Sequence, residues 1–458
     1  MRPEKHGQIP PAGNGLPAHL DPGSTPEQPD FTLTVEENSM LDGAQGPAVA
    51  MAMRVLTALS RTLNAPRLVE ITSAHIDSCL YHGQVSLDFA ERLVHLGATV
   101  RVPTTLNVGS VDLLHPSLVK TDTPKEQEVV SRGRELMAAY KSMGCTPTWT
   151  CAPYQLPGRP RFGEHIAWAE SNAIVFANSV LGARTDRYGD FLDICAAITG
   201  RAPYSGLQAT AARRGEHVFD CSSLPAAFMK SDVAYALLGY HIGKVSGTKN
   251  PVLTGVPVDV SEDQLKAMGA AAASSGGVAM FHVVGVTPEA PTLGAALQGN
   301  APLQSHVVTA ATMTLARQEL STFHSGELNA VSVGTPHASF AECAELARLL
   351  AEGGPIHPDI DFFISTGRAT LDRLAEAELL EPMERAGVRL VVDTCTYVTA
   401  VLSPKAKRVM TNSGKWAHYA PSNIGVDVVV GSIEECVDSA RLGRVALQNN
   451  FLGLGDAS

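Results

Sequence analysis

Cysteine placement raises the first chemical question. In the stretch GCTPTWTCAPYQLPGRP, Cys145 and Cys151 stand among threonines and prolines, with Trp149 before the second thiol and Tyr154 after it. A thiol in so rigid and polar a loop can form a disulfide, act as a nucleophile, bind a metal or fill a gap. A further cysteine, Cys395, directly follows a buried-looking strand in VVDTC. Thiolates are the usual ligands of iron–sulfur centres, and two thiols in distant loops suit a site assembled from separate segments. The absence of a close C-x2-C pair argues against zinc ribbons and ferredoxins. A nucleophilic Cys151 working with His337 would need a low-pKa thiol. Spacing alone leaves these options open.

Three polar stretches offer ligand-binding groups. TNSGKWAHYAPS gathers Asn412, Ser413, Lys415, His418 and Tyr419. Asn and Ser can donate hydrogen bonds there while Lys415 supplies positive charge for an anion, although a solvated turn would look the same. TTLNVGS sets Thr104, Thr105, Asn107 and Ser110 around Gly109, as a cradle for a small polar ligand or as an ordinary helix cap. AESNAIVFANSVLGART presents Glu170, Ser171, Asn172, Asn178 and Ser179, followed by Arg184 and Thr185. Arg184 could fork onto a carboxylate or sit in a surface ion pair. His75, His82, His282 and His337 are each either a ligand, a base or a hydrogen-bonded structural residue. A G-x-S-x-G elbow, a Walker loop and a sound dinucleotide fingerprint are all missing.

These groups need a scaffold, and 458 residues call for two or three subdomains. The hydrophobic share of 45% supplies a core, and the net charge of -11 argues against nucleic-acid binding. Eight scattered cysteines are few for a disulfide scaffold in a chain this long. The longest apolar-looking region, Met268 to Val286, is broken by serines, glycines and His282, so no membrane span is expected. The start of the chain lacks a secretory pattern, and a soluble, cytoplasmic protein is expected. Residues 1–35 read as a flexible Pro/Gly-rich tail, with seven prolines and four glycines in the first thirty.

Beyond the tail, helical and strand-like runs alternate. GPAVAMAMRVLTALSRTLN, SLDFAERLVHLG and PKEQEVVSRGRELMAAYKSMG read as helices, and so does the periodicity around Glu164 to Ala173. PRLVEITSAHI, ATVRVPTTL, AIVFANSV, GGVAMFHVVGV, LNAVSVGTP, DFFISTG and VRLVVDTCT read as strands. Such alternation predicts an α/β fold with mostly parallel sheets covered on both faces. The polar loops described above fall where strands end, which is where such sheets bind ligands.

Eight motifs occurring in order, ENSMLDG, VPTTLNVGSVD, TCAPY, AESNAIVFANSVLGARTDRYGD, FHVVGVTPEAPT, GTPHASFAE, VVDTC and TNSGKWAHYAP, resemble the aconitase X family. The resemblance implies an aconitase-like large catalytic region over residues 36–458, with α/β/α layers and a cleft between subdomains. It implies a hydro-lyase, and the activities of the family are dehydration of cis-3-hydroxy-L-proline and of phosphomevalonate. The cofactor implied is an iron–sulfur cluster, 2Fe-2S or larger, or a mononuclear iron. By motif, Cys151 and Cys395 carry over as metal ligands. Thr105, Asn107, Ser110, Glu170, Ser171, Asn178, Arg184 and Lys415 are the candidate substrate contacts, and Lys415 and Ser413 the candidate catalytic groups. A third thiol is expected after His337, where Ala338 stands; Cys145, Cys343 or a non-thiol group could complete the set, or the site could be impaired in an inactive homologue. A swivel domain carrying a proton-accepting serine is not found, and a separate small subunit is the expected partner. The expected substrate is a small β-hydroxy acid.

Overall fold

The computed structural model describes residues 31–448 and Leu452. Most of the tail read from the sequence lies outside these residues. Its last few positions are already tied down: Thr32 N donates to Pro66 O, and the Thr34 side chain caps the helix Val35–Leu41.

The first region is built on a three-stranded parallel sheet, ordered Thr104–Leu106, Ala74–Ile76, Ala167–Trp168. Helices Pro47–Thr62, Gln84–His95 and Pro124–Ser142 surround it. The longest starts where Thr123 forms a capping box with Glu126 and Pro124 fills the first turn, a position that has no hydrogen bond to lose. The second region holds four parallel strands, ordered His282–Val283, Pro251–Thr254, His217–Asp220, Gln304–Val307. Its helices Asp232–Ser246 and Glu262–Ser275 cross closely because Gly239 has no side chain. A Cβ there would stand 2.2 Å from Met268 O.

The third region is a five-stranded parallel sheet, ordered Val388–Val391, Asp361–Thr366, Ala330–Ala338, Arg408–Thr411, Asp427–Val430. Strand order reverses between Ala330–Ala338 and Arg408–Thr411, since earlier additions go to one side and later ones to the other. The same reversal occurs about Ala74–Ile76 in the first region. Loops diverge at such a point and leave a crevice at the carboxyl ends of the strands. The two crevices meet. Gly109 N donates to Asp393 O at 2.7 Å, Val392 N to Asp112 Oδ2 at 3.0 Å, and Thr399 Oγ1 to Ser110 O at 3.1 Å.

Only one strand pair is antiparallel, Leu68–Glu70 with Arg201–Pro203, among the described residues. The α/β reading holds, with local corrections. AIVFANSV is helical, as Ser171–Phe176 running into a wider turn at Ala177–Leu181. An apolar run buried on every side lacks periodicity, so it fits either element. The periodic stretch before it contains a short strand, Ala167–Trp168, and GGVAMFHVVGV yields only His282–Val283.

Candidate active site and metal centre

Cys151 and Cys395 approach the cleft by the same local device. Two residues before each thiol a non-glycine residue adopts a left-handed backbone, Trp149 at φ 45 and Asp393 at φ 61. That conformation costs on the order of 1–3 kcal/mol for a bulky residue and survives only when its surroundings enforce it. Trp149 is 1% exposed within the first core. Asp393 is gripped by Arg368, whose Nε and Nη2 each donate at 2.6 Å, and by Leu113 N at 3.1 Å. The strand Ala330–Ala338 shifts register past Val333 at Gly334, φ 80, where a Cβ would lie 2.3 Å from Ser365 O, and so delivers His337.

Three donors converge as a result. Ligand atoms of Cys151, His337 and Cys395 all lie within 4.8 Å of one another, and all three residues are buried. His337 N donates to Cys151 Sγ at 3.2 Å. On the imidazole, Nε2 lies 3.2 Å from Thr394 O, which can only accept, so Nε2 carries the proton. Nδ1 keeps its lone pair, 3.1 Å from Thr150 Oγ1. An N–H anchored on a backbone carbonyl is the usual support for a metal-ligating histidine.

The two thiols share a proton unequally. Burial pushes the Cys151 thiol up, but the hydrogen bond from Cys395 and the fields of His337 and Lys415 outweigh it and bring it down to about 6. Cys395, which donates that bond and is itself buried, is held well above the usual thiol range. One ionised sulfur beside a protonated one and an imidazole nitrogen is a donor set a soft cation can take over.

Lys415 stands opposite. It enters on helix Gly414–Ile424, whose first turn is capped by Ser413 Oγ accepting from Trp416 N at 3.0 Å. Trp416 is fully buried and donates from Nε1 to Thr396 Oγ1 at 2.8 Å. Truncating such a side chain costs about 3–5 kcal/mol, so the helix is firmly seated. Lys415 Nζ lies 2.5 Å from Glu170 Oε1 and 3.3 Å from Ser171 Oγ. Burial opposes its charge, but Glu170, Tyr397 and Cys151 together hold the ammonium well above its ordinary range. Glu170 is fixed in turn, because its Oε2 caps Ala173 N at 2.8 Å and accepts from Asn172 Nδ2.

Cys151, Cys395, Glu170, Ser171 and Lys415 line a cleft of about 340 Å³ together with Asp77, Asn107, Tyr397, Tyr419 and neighbouring residues, and His337 lies behind the two thiols. Tyr397 and Tyr419 stack at 5.9 Å and 14° along one wall. Of the residues expected from the sequence, His82, Asn107, Glu170, Ser171, Lys415, Tyr419, Cys151 and Cys395 meet here.

The others do not join them. Cys145 packs in the first core, where burial and Asp193 push its thiol up to about 12, and Cys343 lies in the third core. Neither completes the donor set, and the third member is His337. Ser413 is a helix cap that also donates to Thr335 O, and it lines a separate cavity. Asn178 braces the backbone at Thr185 and Ala279, and Arg184 donates to Gln208 O and Thr210 Oγ1. Thr105 pairs with His75 Nδ1 at 2.8 Å, and Ser110 Oγ accepts from Tyr81 N. His75 is kept neutral because burial drives its pKa to about 3. His282 donates from Nε2 to Arg213 O and plays a structural part. Sequence reasoning missed Asp77 and Tyr397; position one residue past a strand end was the available signal for Asp77.

Among the described residues no helix is long and apolar enough to cross a membrane. Family models described as the aconitase X first, second and third domains match residues 30–211, 215–318 and 328–441. The chain is 40% identical over 440 residues to a cis-3-hydroxy-L-proline dehydratase from Hypocrea jecorina, covering 93% of this chain and 72% of that protein. It is 33% identical over 408 residues to a phosphomevalonate dehydratase large subunit from Methanocaldococcus jannaschii, covering 88% and 98%. The crystal structure of Thermococcus kodakaraensis aconitase X in its holo-form superposes with a TM-score of 0.80 at 32% identity, covering 90% of this chain and all of that one. The chain belongs to the aconitase X family.

Proposed function

We propose that this chain is a hydro-lyase that removes water from cis-3-hydroxy-L-proline, giving a pyrroline carboxylate after tautomerisation. The observation that carries the reading is the convergence of Cys151, His337 and Cys395, two of which line the cleft that also holds the Lys415–Glu170 pair. An iron ion or small iron–sulfur cluster held by these three residues would supply Lewis acidity toward a departing hydroxyl. His337 takes the place of the missing thiol, which supports a competent centre over an inactive homologue.

The chain's own groups do the rest. Lys415 and Ser171 meet the substrate carboxylate, whose neighbouring carbon must give up a proton and gather charge. Glu170 keeps Lys415 aimed and charged. The Tyr397–Tyr419 wall narrows the space for water. Lys415 is the one Lys or Arg lining the cleft among the described residues, and it is already paired. A phosphorylated acid would bring far more negative charge than that single cation balances, so the cleft favours the hydroxyproline over phosphomevalonate.

The proton-accepting face would come from a swivel segment outside the matched region: the near-complete coverage of a relative named as a large subunit supports a separate small subunit, and the 72% coverage of the cis-3-hydroxy-L-proline dehydratase supports a further segment of one chain. Free, buried thiols throughout support a reducing, cytoplasmic setting. The test is anaerobic iron loading followed by assays of both substrates with the small subunit added. Turnover of cis-3-hydroxy-L-proline, lost with iron in Cys151→Ala, is expected. Turnover of phosphomevalonate alone would contradict the substrate, and no iron uptake would contradict the centre.

A further inference from the structure

Asp77 is the cleft residue that the chemistry above leaves unused. It directly follows the central strand Ala74–Ile76, at the point where the order of the first sheet reverses. Its backbone N–H donates to Asp193 Oδ2 at 2.7 Å, which fixes the residue, and its Oδ1 accepts from Asn107 Nδ2. The carboxylate is partly buried and opens onto the same cleft as Lys415 and Glu170.

Charge around it is one-sided. Burial, and after it the like charges of Glu170, Asp190 and Asp193, push the Asp77 acid up to about 7 against the hydrogen bond from Asn107. Lys415 is engaged by Glu170 at 2.5 Å. No other Lys or Arg lines the cleft among the described residues, and His82 is exposed at its mouth. The cleft therefore presents to a ligand an ammonium braced by Glu170 and an acid with no cation beside it, which a ligand cation would hold ionised. A part-buried carboxylate with no cation beside it is costly to ionise, and a ligand cation placed against it removes that cost.

We propose that Asp77 binds the positively charged ring nitrogen of the substrate, which makes it the residue that selects cyclic amino acids over phosphorylated hydroxy acids. The proposal rests on the hydroxyproline reading above. A zwitterion matches the pair of charges: its carboxylate lies toward Lys415 and its secondary ammonium toward Asp77. Phosphomevalonate carries two anionic groups and no cation, and would meet Asp77 with repulsion.

The test compares two ligands on the iron-loaded protein by calorimetry: L-proline, and tetrahydrofuran-2-carboxylate, in which an ether oxygen replaces the ammonium. Wild type should prefer L-proline by roughly 10- to 100-fold, the worth of a hydrogen bond between charged groups. Asp77→Asn, which can still accept from Asn107, should erase that preference by weakening L-proline alone. Asp77→Glu should restore part of it. In turnover the same loss should appear in KM for cis-3-hydroxy-L-proline more than in kcat. An Asp77→Asn protein that keeps the preference, or loses both ligands equally, overturns the assignment. A wild type that binds both ligands without preference also overturns it while leaving the substrate intact. A wild type that binds neither and turns over no hydroxyproline overturns the substrate reading, and this proposal with it.

Discussion

Cys145 and Cys151 lie in one short loop and have opposite fates. The first faces the apolar core beneath helix Pro124–Ser142, where burial and Asp193 push its thiol up to about 12. The second faces the cleft, where Cys395, His337 and Lys415 bring it down to about 6 in spite of burial. Between them stands Trp149, whose left-handed backbone changes the direction of the chain. A cysteine becomes a metal ligand through what surrounds it, since burial alone makes it inert.

The comparison breaks most sharply on metal content. Cys151→Ala and Cys395→Ala should each lower bound iron at least about tenfold, measured after anaerobic reconstitution, whereas Cys145→Ala should hold wild-type iron and lose about 1 kcal/mol of stability. Iron loss in Cys145→Ala would erase the distinction. Next in size is the buried ion pair, with Lys415 and Glu170 5% and 3% exposed. Lys415→Met alone should destabilise the protein by about 3–5 kcal/mol in denaturant unfolding, and adding Glu170→Gln should recover part of that, because a lone buried carboxylate is worse than none.

A gentler probe is alkylation of the metal-free protein near neutral pH, followed by peptide mass spectrometry. Cys151 should react at least about tenfold faster than Cys145, as its larger thiolate fraction requires. Equal rates would mean that the surroundings do not divide the two thiols. The smallest effect concerns Asp77. An acid whose folded-state proton affinity is raised weakens the fold as pH climbs from about 4, its ordinary range, through about 7. Asp77→Asn should therefore melt above wild type at pH 8 and level with it at pH 4.

Much of this arrangement was legible in the sequence. Short apolar runs such as DFFISTG and VRLVVDTC became parallel strands, and Cys395 sits in the loop after the second of them, while Lys415 opens the helix that follows strand Arg408–Thr411. Thiols and a lysine at strand ends are uncommon enough to stand out. Direction was not legible. Nothing in a six-residue spacing says that Cys145 turns into the core, and only the backbone at Trp149 decides it. Ser413 and Asn178 have the polar chemistry of ligand contacts but spend it on a helix cap and a loop brace. Asp77 was overlooked because Asp after a strand is an ordinary turn residue, and its meaning comes from Asn107, Asp193 and Glu170, which are distant in sequence. His337 could be named as a candidate, but its choice over Cys145 or Cys343 needed the fold.

X-ray absorption at the iron edge of the anaerobically loaded protein tests the central claim most directly. Two sulfur scatterers and a nitrogen contributed by this chain are predicted, with a sulfur contribution lost in both Cys151→Ala and Cys395→Ala and retained in Cys145→Ala. An iron environment of oxygen and nitrogen alone, or one that neither substitution alters, would contradict it.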